Sequence, residues 1–513
     1  MRIRSIASAG LALSLTAGVL ATTPARAADP LWVRTELTVH SAPPGDVEAV
    51  DLDVTLYQPF GLEEGQTVPL IFHSHGWGGS KTNSDTAFGE YRAAGFGVLS
   101  FTQRGFGATG GKAHVENIDV EGYDVQALVD YVAELDWVTQ EAPGDPLIGA
   151  IGGSYGGGYQ FVGGFAEKRS GTDRFDALAP EITWWDLKES LAPSGVVRTT
   201  WVSALYAAGL TAHTQTVHEG FAYGAATGEW PDGDGPLEPD LDAFFEKTGP
   251  RHHAANHGPL DIPVLFGQGT TDNLFNLNQG LKNVAGALTP EAREQSLFIG
   301  YNGGHTLPEV MPLANFVSGD PCSTQIGGGS FADIVVEFME DHLLGNANGT
   351  PAWASATPLY NIGTESGECL QTADVDPDTS IPLDLVVAPS GVGVPVHYEL
   401  AAGPIRVAGA PTLDATGATA TGLENRAFFG LSVGTSPADA VLIGANVMPM
   451  RLAGPLLDGS VEGFELPGVG VDVAEGQKLF LTVSANSLMF GGHSSRTPGA
   501  IILEGVTVNL PTV

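Results

Sequence analysis

Pro146-Leu147-Ile148-Gly149-Ala150-Ile151-Gly152-Gly153-Ser154-Tyr155-Gly156-Gly157-Gly158 is the stretch whose reading decides the fold. Its first half is a compact apolar run, as expected of a strand buried on both faces. Gly152–Gly156 then match G-x-S-x-G, and the small residues that follow are able to open a helix. A serine on a sharp strand-to-helix turn needs small neighbours, because larger side chains beside it would clash. In a chain with 69 glycines the five-residue match alone carries little weight. The strand in front of it is what turns the match into a nucleophile turn.

Working outward, the same alternation continues on both sides. Upstream, Val33–Ser41 and Val50–Gln58 read as an opening hairpin. Val68–His73 is a buried strand that ends in His75-Gly76-Trp77-Gly78-Gly79. A helical stretch at Ala87–Ala94 closes at Gly95, Phe96–Phe101 is the next strand, and Gly122–Leu135 carries Val125, Leu128, Val129 and Val132 at helical spacing. Downstream, Phe175–Ile182, Ile262–Phe266 and Gln295–Ile299 read as strands, and Asp333–Leu344 as the last helix. Strands alternating with helices imply a parallel sheet covered on both sides, an α/β fold of the hydrolase type. Between about 184 and 257 no strand is apparent and Trp, Tyr, Phe and His are frequent; this insertion is expected to be a helical cap over the site. From about 356 short apolar runs separated by Gly, Pro, Asp and Asn predict an all-β sandwich or jelly roll. The expected organisation is therefore a signal peptide over 1–27, a catalytic domain over 28–355 with its cap at 184–257, and a β domain over 356–513.

The ends and the composition bound the setting. Arg2 and Arg4, the apolar stretch Ile6–Ala21 and Ala25-Arg26-Ala27 read as an export signal cleaved near Ala27, so a secreted chain is expected. Asp and Glu number 59 against 22 Lys and Arg, a formal charge of −37. Such a surface repels phosphate backbones and anionic lipid, which excludes nucleic-acid and membrane-surface partners. The two cysteines, Cys322 and Cys369, are expected to pair in an oxidising compartment and to staple one domain to the next.

A serine hydroxyl becomes a nucleophile only when a base takes its proton. In this architecture the acid and the histidine follow the serine in the order Ser, Asp, His. Gly267-Gln268-Gly269-Thr270-Thr271-Asp272 follows the fifth strand and Gly303-Gly304-His305 the sixth, so Ser154, Asp272 and His305 are the candidate triad. His73, His75, His252, His253 and His257 are rivals, but none follows a late strand. Negative charge on the transition-state oxygen needs donors already in place. The backbone N–H of Tyr155 is one candidate; that of Trp77 is the other, with Gly76 as the alternative. Trp184, Trp185 and Trp201 are candidates for a substrate pocket. Arg104 either shapes the pocket or forms a structural salt bridge, and Asp124 reads as a helix cap. No His, Cys and Asp cluster has zinc spacing and no phosphate loop occurs, so no metal or other cofactor is expected.

The order H-G-W-G-G (75–79), R-G-F-G (104–107), G-G-S-Y-G-G (152–157), a cap, an Asp loop, a Gly-Gly-His and a β domain resembles the peptidase S15 group. That group includes the X-Pro dipeptidyl-peptidases and the cocaine esterase-like acyl hydrolases. Leu191-Ala192-Pro193-Ser194-Gly195 also resembles the start of its cap. The resemblance implies hydrolysis of a small-molecule, peptide or polymeric ester or amide through a covalent acyl-serine, with Ser154, Asp272 and His305 as its triad. One motif departs from the group: many members carry a Pro-Tyr pair whose hydroxyl serves the oxyanion, where this chain has His-Gly-Trp. Here the early loop must donate through its backbone. The cap shows no obvious acidic pair to hold a free N-terminal amine, although Glu189, Glu219 and Glu229 are available to do so.

Overall fold

The computed structural model describes residues 32–307, 309, 317–345, 359–453, 459–495 and 497–513; the expected export signal over 1–27 lies outside them. A ten-stranded sheet runs through the first part of the chain. Its strands are β1 (Trp32–Ser41), β2 (Val50–Pro59), β3 (Leu70–Ser74), β4 (Gly97–Phe101), β5 (Ile148–Gly153), β6 (Ala177–Glu181), β7 (Leu265–Gly269), β8 (Leu297–Tyr301), β9 (Tyr360–Gly363) and β10 (Cys369–Thr372). In space they lie in the order β1-β2-β4-β3-β5-β6-β7-β8-β9-β10. From β4 to β9 all neighbours are parallel, while β1, β2 and β10 pair antiparallel at the two edges.

The parallel strands are apolar throughout because both faces are covered. On one face α2 (Glu121–Ala133), α3 (Tyr155–Ser170) and α9 (Leu277–Ala287) bury Leu128, Val129, Phe161, Phe165, Leu281 and Val284 against the sheet. On the other, α1 (Gly89–Ala94) and α12 (Phe331–Leu344) close over Ile71, Val98 and Ile299 with Ile334, Phe338 and Met339. The apolar run Ile262–Phe266 starts earlier than the strand it announces, β7, which occupies Leu265–Gly269. Pro263 has no N–H to give to a ladder, which delays the start. Gly267 and Gly269 within it have no room for a side chain, since a Cβ would collide with the Phe331 ring or the Gly303 carbonyl.

Between β6 and β7 the insertion is helical: α4 (Leu187–Leu191), α5 (Thr199–Ala208), α6 (Gln215–Thr227), α7 (Leu241–Phe245) and α8 (Pro250–His257). Asp186, Thr214 and Asp240 cap three of these helices by accepting N–H groups of the first turn. The helices share a buried cluster of Leu187, Leu191, Trp230 and Leu241 with Trp184 and Tyr155 below them.

The expectation for the disulfide is half right. Cys322 and Cys369 are bonded, with α-carbons 4.9 Å apart. Yet Cys322 sits on α11 (Pro321–Ile326) and Cys369 on β10, so the bond lies inside the large sheet's own layer and joins no two domains. The reason is that β9 and β10, beyond 356, still belong to that sheet; the β region is correspondingly shorter than expected at its start. From Thr379 onward antiparallel strands form separate sheets. Thr379–Ser390, Gly499–Leu510, Thr412–Ala420 and Gly459–Glu465 lie side by side in one. Val396–Ala402, Lys478–Ser484, Glu424–Gly434 and Val441–Leu442 do so in another, with Met448–Ala453 also on Glu424–Gly434. Their shared core of Val386, Phe429, Leu481 and Val508 makes this a β sandwich. Among the described residues no helix is long and apolar enough to cross a membrane.

Candidate active site

Ser154 stands between β5 and α3 with φ 59° and ψ −120°, a conformation an L-residue holds only when its surroundings enforce it. The enforcement is visible. Its N–H donates to the Glu181 carbonyl on β6 at 2.9 Å, and its own carbonyl accepts from Gly157 at 2.8 Å and Gly158 at 3.1 Å. Gly156 has no room for a side chain: a Cβ there would lie 2.4 Å from the Ser74 carbonyl oxygen.

Asp272 follows β7 and is fully buried. Its Oδ1 accepts the backbone N–H groups of Leu274 (2.9 Å) and Phe275 (2.7 Å). Its Oδ2 faces the His305 ring Nδ1 at 2.7 Å and accepts the His305 backbone N–H at 2.9 Å. His305 follows β8, and Gly304 beside it takes φ +92° with its α-carbon packed against the Asp272 carboxyl, a place that only glycine fills without strain. The rings of Trp201 (5.8 Å) and Phe275 (5.3 Å) stand edge-on to the imidazole. Among the described residues no hydrogen bond joins Ser154 to His305; contacts of this kind often tighten only around substrate.

The two proposed oxyanion donors flank Ser154. Among the described residues neither the Tyr155 nor the Trp77 backbone N–H has a protein acceptor, and the same is true of Gly76, whose α-carbon packs close to Ser154. The Trp77 indole is held away from the oxyanion position: its Nε1 donates to the Leu205 carbonyl at 2.9 Å, and its ring meets Tyr155 edge-on at 4.9 Å.

A cavity of about 330 Å³ opens at Ser154. Trp184 lines it, with its Nε1 donating to the Thr248 carbonyl at 2.7 Å. Trp201, expected in the pocket, is not among the residues that line it; it stands beside His305 and donates to Asn273 Oδ1 at 2.8 Å. The expectation for Trp185 is corrected. It points the other way from Trp184 and packs on Gly286 of α9, away from the cavity, as consecutive residues on an extended segment face opposite sides.

Among the described residues none of the rival histidines is hydrogen-bonded to Asp272. His75 has both ring nitrogens committed, Nδ1 to the Gly76 carbonyl (2.8 Å) and Nε2 to the Gln103 N–H (3.0 Å), and burial lowers its pKa to about 4. Burial likewise lowers His73 to about 4 and His253 to about 3. Arg104 makes a buried salt bridge to Asp124 at 2.7 Å. Asp124 is therefore an ion-pair partner and no cap, since α2 starts at Glu121.

Several residues that support the site carry no signature a single sequence could reveal. Asn273 accepts from Leu307 and Trp201 and donates its N–H to the His305 carbonyl, bracing the Asp272 and His305 loops against the cap. Buried Arg198 reaches the Asn273 carbonyl at 2.8 Å. Asn446, in the β sandwich, donates to the Asp272 carbonyl at 2.8 Å, so the last part of the chain helps to hold the acid. Glu181 accepts the Tyr301 hydroxyl at 2.5 Å close to His305, and burial raises its pKa.

Solved structures share this architecture over nearly the whole chain. A CocE/NonD family hydrolase from Staphylococcus aureus has a TM-score of 0.63 at 12% identity, covering 94% of this chain and 97% of that one. An α-amino acid ester hydrolase has a TM-score of 0.61 at 12% identity, covering 96% and 98%. An aminopeptidase from a marine sediment Thaumarchaeota archaeon has 0.63 at 14%, covering 98% and 100%. At such identities the likeness is one of fold. No curated protein matches the sequence. The family model of X-Pro dipeptidyl-peptidases of the S15 type matches residues 48–306, which begin at the opening hairpin and end just past His305. With half its length inside that match and an α/β-hydrolase layer followed by a β sandwich, the chain belongs to the S15 family of serine hydrolases, which act on esters or peptides.

Proposed function

We propose that the protein is a secreted carboxylic ester hydrolase that works through an acyl-serine intermediate. Ser154 Oγ attacks the substrate carbonyl carbon while His305 Nε2 takes its proton. Asp272 fixes the imidazole tautomer and stabilises the charged ring. The carbonyl oxygen, now negative, receives the N–H groups of Tyr155 and Trp77. Collapse of the tetrahedral species expels the alcohol, which takes the proton from His305. Water, activated by the same imidazole, then hydrolyses the acyl-serine and restores Ser154.

The observations that support this reading are the strained Ser154 opening on a largely apolar cavity and the His305 imidazole bonded to a buried carboxylate. Secretion is supported by the export-signal pattern at the start of the sequence and by the Cys322–Cys369 bond. An ester is favoured over an Xaa-Pro peptide because the cap carboxylates are not placed as a free amine anchor. Glu189 is bonded to Lys282, Glu219 accepts from Gln215 away from the cavity, and Glu229 is paired with two arginines.

The test is turnover of p-nitrophenyl esters beside Xaa-Pro p-nitroanilides, with Ser154→Ala as control. Ester cleavage that vanishes in the variant is expected. Anilide cleavage that requires a free N-terminus would replace this reading with a dipeptidyl-peptidase.

A further inference from the structure

The cavity at Ser154 has an unusual charge balance. Its wall comes from α4, α5, α6 and α7 of the cap and from Gly491–His493 of the β sandwich. The side chains that give it shape are Trp184, Leu187, Val202, Phe221, Leu241 and Phe275. Among the described residues the wall contains one carboxylate, Glu229, and no lysine or arginine. That carboxylate is already neutralised from outside. Arg426, with a side chain only 2% exposed, reaches Glu229 at 3.0 Å, and Arg451 reaches it at 3.1 Å. Both arginines also meet Glu424, at 3.8 and 3.4 Å, so among the described residues two cations and two anions gather behind this part of the wall.

Resting on the ester hydrolase reading, we infer the substrate class: an ester one half of which is an uncharged, apolar chain or ring. Arg426 and Arg451 set that preference by withholding Glu229 from a substrate ammonium. The preference for an apolar half follows from the lining, where these six side chains offer it contact away from water. The rejection of charge follows from desolvation. An ammonium entering this apolar space would lose its water and meet a carboxylate whose charge is already spent on two guanidinium groups. The two sandwich arginines thus act on specificity without touching the reacting atoms.

The experiment compares matched esters on the full chain. Methyl phenylacetate and phenylglycine methyl ester have the same shape and differ by one amino group. An acyl series (p-nitrophenyl acetate to decanoate) and an alcohol series (methyl to octyl acetate) report which half enters the cavity. The expected kcat/KM for phenylacetate exceeds that for phenylglycinate by at least about 100-fold, and one of the two series rises by at least about 100-fold with length. Arg451→Gln, at a side chain 29% exposed, should narrow the phenylacetate preference about tenfold. Glu229→Gln should leave it in place. Equal or better cleavage of the amino ester, or a selective loss of the amino ester in Glu229→Gln, would overturn the inference, because Glu229 would then be an amine anchor. Acetate preference in both series would also overturn it.

Calorimetric binding to Ser154→Ala separates this inference from the hydrolase reading. Binding of methyl phenylacetate but not of phenylglycine methyl ester, without wild-type turnover, would remove the reaction and keep the ligand class. Turnover with equal binding of both would do the reverse.

Discussion

His305 offers two donors, its ring Nδ1 and its own backbone N–H, to a single oxygen, Asp272 Oδ2, at 2.7 and 2.9 Å. The other oxygen of the carboxylate is taken by two further N–H groups. The acid therefore fixes the ring and the loop that bears it together, and every one of its contacts requires an acceptor.

Asp272→Asn places an amide nitrogen where only acceptors fit, and it favours the wrong imidazole tautomer. A loss of about 10⁴-fold in kcat is expected. Ser154→Ala should cost at least about 10⁴-fold with an unchanged circular-dichroism spectrum. Steady-state rates on the preferred ester check both; a Ser154→Ala enzyme with full activity would sink the triad assignment.

Gly156→Ala puts a methyl group 2.4 Å from the Ser74 carbonyl oxygen, between two buried backbones that cannot separate without moving Ser154. The expected cost is about 1–3 kcal/mol of stability, with activity falling further because the nucleophile shifts. Urea midpoints and kcat, measured on the same preparation, read the two effects. Wild-type values for both would show that the turn tolerates a side chain.

Arg104 and Asp124 form a salt bridge that is nearly fully buried, with Ser41 as a third partner. Glu121 and Glu116 lie close by, and their pKa values are raised by burial first and by neighbouring carboxylates second, to about 8 for Glu121. Arg104→Met would strand Asp124 among acids and should cost about 3–5 kcal/mol. Arg104→Met with Asp124→Leu should recover most of it. Chemical denaturation of the two variants decides; equal losses would mean that packing, not charge, holds the pair.

Buried His253 sits against Phe165 with no hydrogen-bond partner among the described residues at either ring nitrogen, and burial lowers its pKa from 6.5 to about 3. Between those values the unfolded chain binds a proton that the native one refuses, so stability falls as pH drops from 6.5 toward 3. His253→Leu removes that proton. Its stability should decline less steeply with acid, by about 1.4 kcal/mol per pH unit over that window. Denaturation midpoints at pH 7 and pH 5 check the sign; identical slopes would show that His253 titrates normally.

Much of the catalytic layer is legible in the chain because buried parallel strands are continuous apolar runs, and because the Ser154, Asp272 and His305 loops each follow one. What escaped reading has physical causes. Trp185 looks like Trp184 until the backbone direction is known. Asn273, Arg198 and Asn446 act through hydrogen bonds between segments far apart in sequence, which leave no spacing to detect. The strands Tyr360–Gly363 and Cys369–Thr372 are four residues each, separated by a polar turn, and too short for any period to appear.

Those two short strands have a consequence for how the catalytic layer protects itself. β9 pairs with β8, the strand that leads into His305, and β10 covers β9 and is tied to α11 through Cys369. A chain cut near 355, at the change of composition, would leave β8 with a bare row of N–H and C=O groups and no disulfide beside it. Exposed edges of this kind recruit other strands. A truncation there should self-associate, whereas one ending after Thr372 keeps its edge covered. The S–S bond thus holds this edge cover in place and guards against sheet-to-sheet aggregation.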